Sequence, residues 1–196
     1  MRARDYRLAA SEECRNYSGT LALIYLILAI IEGAVSGATF GLGILVLGPL
    51  TMGTIMVSES VHNKGNVALE TLFSGFKVFE KAVVLSILET VYLILWSFLI
   101  IPAFIKPYSY AMSFYIQKDN PEMTANESIT ESRRMMNGYK WKLFCLDLSY
   151  IGWILLCILT LGILSFWVSP KIQQAHYLFY LNISGKNNQE EVVTEE

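Results

Sequence analysis

The sequence predicts an all-α integral membrane protein with six transmembrane helices arranged as three hairpins. Of the 196 residues, 54% are apolar and only 16% are charged, and the mean hydropathy is +0.42. Such a composition leaves too little polar surface for a soluble domain. The apolar residues are also gathered into three long runs, and each run is too long for a single crossing of a bilayer.

The first apolar run covers residues 20–57, and Glu32 is its only charged residue. As one helix it would be about 57 Å long at 1.5 Å per residue, whereas the hydrocarbon core of a bilayer is about 30 Å thick. We therefore expect it to fold back within residues 32–41, where glycine and small residues are frequent. The runs 82–116 and 143–183 are expected to fold back near Pro102 and near Thr160.

The positions of lysine and arginine predict the orientation of these helices. If the N-terminus is cytoplasmic, thirteen of the fifteen Lys and Arg residues fall on the inner side, and only Lys106 and Lys171 fall on the outer side. This distribution follows the positive-inside rule. With an odd number of spans, the lysines and arginines would no longer follow the rule. Both chain ends are therefore expected in the cytoplasm.

Glycine and proline recur at regular spacing, which indicates an internal repeat. The residues are Gly19, Gly75 and Gly138 before the first helix of each hairpin, and Pro49, Pro107 and Pro170 within the second. The predicted units cover residues 5–60, 64–118 and 122–183 of one domain, residues 1–184. Coincidence remains an alternative, because Gly and Pro are common in membrane helices. The acidic residues 185–196 are expected to form a disordered cytoplasmic tail.

Each predicted hairpin follows a short amphipathic helix. The clearest one opens with a capping box formed by Thr124 and Glu127 and stops at Asn137-Gly138. A second follows Asn66, and the N-terminal residues form a weaker third. We expect these helices to lie along the cytoplasmic surface of the membrane. The alternative is that they are connectors that face solvent.

The second and third units carry motifs of a known family. They contain "IIPAFIKPYSYAMSFYI" (Ile100–Ile116), "ESRRMMNGYK" (Glu131–Lys140), "GYKWKLFCLDLSYIGWILLCILTLGI" (Gly138–Ile163) and "FWVSP" (Phe166–Pro170). With these motifs, residues 72–181 resemble the DUF975 family of bacterial integral membrane proteins. The "SPK" at Ser169–Lys171 departs from the family, which more often has an aromatic residue after the proline. The resemblance implies six spans in a bacterial cell membrane. Because the family has no defined activity, the resemblance identifies no catalytic residue.

Ionisable residues inside the apolar runs are the candidate functional groups. Glu89 and Asp147 are predicted to lie in the inner half of the bilayer, where they could bind a proton or a cation. Alternatively, they form structural pairs with nearby lysines. Lys106 and Lys171, next to repeat prolines, are candidates for binding anionic head groups on the outer side. As the alternative, they merely anchor the helix ends.

Other kinds of chemistry find little support in the sequence. The net charge of −2 argues against a nucleic-acid partner. Neither histidine has a second ligand at metal-binding spacing, so no metal site or cofactor is predicted. Because no nucleophile or phosphate-binding motif is present, we do not expect an enzyme.

Two classes of function remain. The broken helices and buried carboxylates favour a small transporter, permease or lipid-handling protein. The alternative is a non-transporting scaffold, sensor, immunity factor or accessory subunit of a transport complex. The expected partner is the lipid bilayer, with a second membrane protein or another copy of the chain as further candidates.

Overall fold

The computed structural model describes residues 2–38, 43–97, 106–160 and 162–186, and of residues 36–38, 44, 96 and 97 it describes the backbone only. Part of the first predicted turn, Pro102 and residues 187–196 of the predicted tail lie outside the described residues. Every regular element in the described ranges is a helix, which confirms the all-α class.

The helices follow one another in three groups. The first group contains α1 (Ala3–Arg15), α2 (Ser18–Ala38) and α3 (Gly43–His62). The second contains α4 (Leu69–Phe73), a 3₁₀ segment (Ser74–Val78), α5 (Phe79–Ser97), helical residues 106–110 and α6 (Ser113–Asp119). The third contains α7 (Ala125–Met135), α8 (Lys140–Ser149), α9 (Ile151–Leu159) and α10 (Ser165–Ser184).

The ends of α7 follow the local sequence. The Thr124 side chain accepts a hydrogen bond from the Glu127 backbone N–H at 3.3 Å, and the Glu127 carboxylate accepts one from the Thr124 backbone N–H at 2.8 Å. This is the predicted capping box, and it satisfies two N–H groups that a helix start leaves unpaired. Beyond the helix end, Gly138 has φ +84°, a conformation that glycine adopts without strain.

The buried core joins helices that are distant in sequence. Tyr6 of α1 packs edge-on against Phe179 of α10 with ring centroids 5.4 Å apart, and Leu146 of α8 belongs to the same apolar cluster. A second cluster joins α2, α3 and α4 through side chains such as Ile24 and Leu72. The N-terminal helix is therefore packed against the C-terminal helix rather than held apart from it.

Glycines bring α3 unusually close to the second group. A Cβ added at Gly53 would fall against the carbonyl oxygen of Leu72, and one at Gly75 would lie 2.7 Å from the backbone nitrogen of Gly53. A Cβ at Gly48 would lie 2.6 Å from the carbonyl oxygen of Ala82. These backbones can approach only because side chains are absent at the crossing.

In contrast to these closely packed glycines, α2, α5 and α9 expose large apolar side chains on their surfaces. They include Leu23, Leu26 and Ile30 on α2, Val84, Ile87 and Val91 on α5, and Ile154, Leu155 and Leu159 on α9. The stretches Ser18–Val35 and Lys140–Leu159 are long and apolar enough to cross a membrane. A core helix of a soluble protein would pass the same test, but only 22% and 17% of these stretches is buried. They are compatible with a membrane protein.

Candidate functional site

A groove of about 340 Å³ runs between α2, α3 and α10. Its polar lining consists of Tyr25, Glu32, Thr51, Thr54, Ser169, Gln173 and His176. The two threonine hydroxyls donate to backbone carbonyls of their own helix, at 2.9 and 2.8 Å, so their oxygens can still accept a hydrogen bond. Leu28, Leu50 and Ile172 supply apolar lining. The groove can therefore contact both the polar and the apolar part of one molecule.

Asp147 and His176 form a pair at one side of this groove. Nε2 of His176 lies 2.6 Å from Oδ1 of Asp147, and the two side chains are 25% and 34% exposed. The sequence suggested nearby lysines as structural partners of Asp147, but the described ion pair joins it to His176. His176 lines the groove, so the Asp147 carboxylate contacts one of the groove's lining side chains.

Glu89 lies elsewhere, on α5, where it faces Ser113 of α6. Among the described residues, its Oε1 is a buried side-chain oxygen without a hydrogen-bond partner. None of the residues that line the groove belongs to α5 or α6. Glu89 and Asp147 therefore have different polar neighbours, Ser113 and His176.

Lys106 and Lys171 both lie close to cations that the sequence analysis assigned to the other side of the membrane. Arg133 and Lys140 exert electrostatic repulsion on Lys106. Lys171 lines two clefts, one with Arg7 and the other with Arg15 of α1. This arrangement differs from the expected outer position of both lysines. The expectation assumed that each apolar run carries its flanking lysine across the membrane, and it did not foresee that α1 packs along α10.

The six glycine and proline residues that mark the predicted repeat have different surroundings. Gly75 is at a close backbone contact and Gly138 has a positive φ, whereas a Cβ at Gly19 would meet nothing within 4 Å. The prolines Pro49 and Pro170 are buried inside α3 and α10, and Pro107 is exposed in helical residues 106–110. Gly75 and Pro49 are close neighbours, since a Cβ added at Gly75 would fall against the carbonyl oxygen of Pro49.

A network of charged groups joins the ends of α3, α6 and α10. Oδ2 of Asp119 accepts hydrogen bonds from the Tyr180 hydroxyl at 2.5 Å and from Nζ of Lys186 at 2.6 Å. Lys118 pairs with Glu59 of α3 and lies 3.4 Å from Oδ1 of Asp119. Burial alone would raise the pKa of Asp119, but the hydrogen bonds from Lys186 and Tyr180 outweigh it and hold the pKa below its ordinary 3.8.

A second polar contact joins α1 to α3 and α10. Glu13 lies 3.0 Å from Nδ1 of His62, and its other oxygen accepts a hydrogen bond from Gln174 at 2.6 Å. Next to Glu13, Cys14 is buried, and its burial raises the pKa of the thiol to about 12. The cysteine is thus a neutral packing residue at physiological pH. A cleft of about 470 Å³ lies beside the Glu13–His62 pair.

The described part of the chain brings no group of three or more His, Cys, Asp or Glu side chains into metal-binding proximity. Each histidine instead pairs with a carboxylate, His62 with Glu13 and His176 with Asp147. The polar side chains available for chemistry are therefore hydrogen-bonding and charged groups in grooves and clefts.

The comparisons with known proteins address the family. A family model with the description "Protein of unknown function (DUF975)" matches residues 98–187. This segment belongs to the DUF975 family. The match confirms the family resemblance noted in the sequence and begins before α6 and ends after α10. No curated protein and no solved structure matches the chain.

Several residues of these sites were not singled out from the sequence. In the segment "PKIQQAHYLFY" (Pro170–Tyr180), the candidate residues predicted from the sequence were Pro170 and Lys171. In the structure Gln173 donates to the Tyr115 hydroxyl at 3.1 Å and Gln174 donates to Glu13. The polar residues Gln173, Gln174 and His176 could have indicated such contacts, because glutamine and histidine are unusual within an apolar helix.

Proposed function

We propose that the chain is an integral protein of a bacterial cell membrane that handles lipids, and that it holds amphiphilic molecules in the groove between α2, α3 and α10. The observation that carries the proposal is this groove, whose polar and apolar lining lies on helices with exposed apolar surfaces. Pockets that bind such molecules combine apolar walls with a few polar groups that fix orientation.

Membrane insertion is supported by the exposed side chains of α9. None of its residues is buried, and leucine, isoleucine and tryptophan form its surface. In water, this surface would be a large apolar patch of a kind that soluble monomers rarely expose. In a bilayer, the same surface faces hydrocarbon. The helix also satisfies its own backbone hydrogen bonds, as hydrocarbon requires.

The proposed architecture has three helical hairpins that enter the membrane from one side, with both chain ends on the cytoplasmic side. Its support is the helix order, in which the short helices α1, α4 and α7 each precede further helices, namely α2 and α3, α5 and α6, and α8 to α10. The charges agree with insertion from one side, because residues 16–63, 82–105 and 143–170 contain no Lys or Arg. The three-unit repeat is part of this proposal.

The groove offers a path for the polar part of a lipid. Thr51, Thr54 and Gln173 present oxygen and nitrogen atoms beside apolar side chains, so a head group could remain hydrogen-bonded while its acyl chains stay in hydrocarbon. The His176–Asp147 pair adds a titratable group at the same surface. Lipid movement between leaflets is the activity that this arrangement favours.

The test is a lipid-movement assay with the purified full-length chain in liposomes that contain a fluorescently labelled phosphatidylcholine. An external reductant bleaches only the label in the outer leaflet, so a protein that moves lipid makes the inner-leaflet label accessible. We expect faster bleaching of the inner pool with the chain than without it. The double variant Thr51→Val, Thr54→Val keeps the shape of the groove and should slow this phase about tenfold by removing two hydrogen-bonding groups.

The matched control is Thr90→Val. Thr90 also donates to a carbonyl of its own helix, at 2.8 Å to Ser86, but it lies outside the groove. It should leave the rate unchanged. Absence of any acceleration by the native chain would overturn the proposal and favour a non-transporting scaffold or accessory subunit. Equal rates for the native chain and the groove variant would remove the groove as the site.

A further inference from the structure

Two adjoining clefts lie on the opposite side of α10 from the polar groove, where α1 runs antiparallel to α10. The antiparallel path is set at one end by Tyr6, whose hydroxyl donates to Asn182 at 2.9 Å, and at the other by Cys14, whose thiol lies 3.9 Å from the Pro170 carbonyl. The clefts measure about 200 and 230 Å³ and share Ser11 and Lys171. We call them the cationic clefts.

Besides the shared Ser11 and Lys171, each cationic cleft contains one arginine and one tryptophan. The first contains Arg7 and Trp153, and the second contains Arg15 and Trp167. Nη1 of Arg7 donates to the Ser149 carbonyl at 2.6 Å, which holds the guanidinium group in place while its other N–H groups are left to bind a ligand. The lysine and the two arginines therefore bring three positive charges to one surface.

No acidic side chain lines either cationic cleft, although Arg15 also borders the separate cleft that contains Glu12 and Glu13. The ion pairs found among the described residues include none of Arg7, Arg15 and Lys171. Hydroxyl groups of Ser11 and Ser18 add neutral donors. An anion with several oxygen acceptors fits this set, because arginine and lysine form charge-assisted hydrogen bonds with phosphate.

The surroundings of the clefts specify a membrane lipid. Trp153 and Trp167 are each 46% exposed at the cleft edges, and tryptophan is favoured where hydrocarbon meets the head groups. The adjacent helix α9 exposes apolar side chains along its whole length, which provides a surface for acyl chains. A cationic pocket beside an apolar helix matches the two parts of an anionic phospholipid.

We propose that the cationic clefts bind the phosphate head group of an anionic phospholipid, with its acyl chains along α9. This assignment places Lys171 at the same membrane surface as Arg7 and Arg15. It also places residues 151–169 on the hydrocarbon side of that surface. The site does not depend on lipid movement through the groove, since its lining residues are different.

The test is binding of short-chain phospholipids to the full-length chain in an uncharged detergent, followed by tryptophan fluorescence. The probes are dihexanoyl phosphatidylglycerol, dihexanoyl phosphatidylcholine and inorganic phosphate. We expect phosphatidylglycerol to bind more tightly than either of the others. The variants Lys171→Gln and Arg15→Gln should each weaken its binding about fivefold, the effect of one cation near an anionic head group.

Two variants control for folding and for general charge. Lys171→Arg should retain binding, because it keeps the positive charge. Arg4→Gln removes an exposed charge from α1 outside both clefts and should leave affinity unchanged. Equal binding of the two phospholipids would overturn the proposal, and so would equal weakening by Arg4→Gln. If inorganic phosphate competes as strongly as phosphatidylglycerol, the site recognises free phosphate and the lipid assignment is wrong.

Discussion

At the scale of single residues, polar side chains on α10 connect much of the molecule. Gln174 reaches Glu13 of α1, His176 reaches Asp147 of α8, and Tyr180 reaches Asp119 of α6. Each of these contacts is a hydrogen bond in a partly buried setting, where loss of one partner leaves the other unsatisfied. The helix that carries the proposed binding surfaces is thus held by directional contacts as well as by packing.

We predict that Asp119→Asn destabilises the chain. The carboxylate is 12% exposed and accepts from both Tyr180 and Lys186, so the neutral amide should cost about 1–3 kcal/mol, the range for a lost hydrogen bond to a charged group. The measurement is the free energy of unfolding of the purified chain in detergent. Glu122→Gln, at an exposed position in the loop before α7, serves as the matched control and should have no effect.

The same residue predicts a dependence of stability on pH. Because the pKa of Asp119 in the folded chain lies below 3.8, its contribution is fully present above pH 3.8 and is lost as the pH falls through the lower folded value. The difference in unfolding free energy between the native chain and Asp119→Asn should therefore shrink only below pH 3.8. A difference that vanishes already near pH 6 would contradict the assigned network.

At the scale of helices, the sequence predicted some features well because they depend on local chemistry. The capping box at Thr124 and the left-handed Gly138 follow from residues within one turn of the helix end. The crossing of α3 over the 3₁₀ segment could not be predicted in the same way. Gly53 and Gly75 are separated in sequence, and nothing in either local pattern states that their backbones meet.

We predict that Gly53→Ala disrupts this crossing. The new Cβ would collide with the Leu72 carbonyl, and a backbone atom cannot move aside as a flexible side chain can. Overpacking of this kind costs about 1–3 kcal/mol. Gly33→Ala on α2 is the control, because a Cβ there meets nothing within 4 Å and alanine is the better helix former. Equal unfolding midpoints for the two variants in detergent would show that the crossing tolerates a larger separation.

At the scale of the whole molecule, cations that are distant in sequence lie close together in the structure. The sequence predicted the apolar runs and the family, but it assigned Lys106 and Lys171 away from the other cations. That assignment depended on counting charges along the chain, whereas the structure places Arg7 and Arg15 beside Lys171 through the packing of α1 on α10. Packing between the two ends of a chain leaves no periodic signal in either segment.

The pairing of carboxylates was unpredictable for a similar reason. Glu89 and Asp147 occupy comparable positions in their apolar runs, which suggested one shared site. In the folded chain Asp147 meets His176, while Glu89 faces Ser113. Sequence position gives the depth of a residue along its helix, but the direction in which its side chain points depends on how the helices are rotated against each other.

The central claim is that the three hairpins enter the membrane from one side, so that both chain ends and both connectors between hairpins remain in the cytoplasm. Cysteine accessibility in cells tests it directly, after Cys14, Cys145 and Cys157 are replaced by alanine. Single cysteines would be introduced as Arg2→Cys, Asn63→Cys, Glu122→Cys and Lys186→Cys. We predict that a membrane-impermeant maleimide labels none of these four positions in intact cells and all of them after permeabilisation. Labelling of any one of them from outside intact cells would contradict the account.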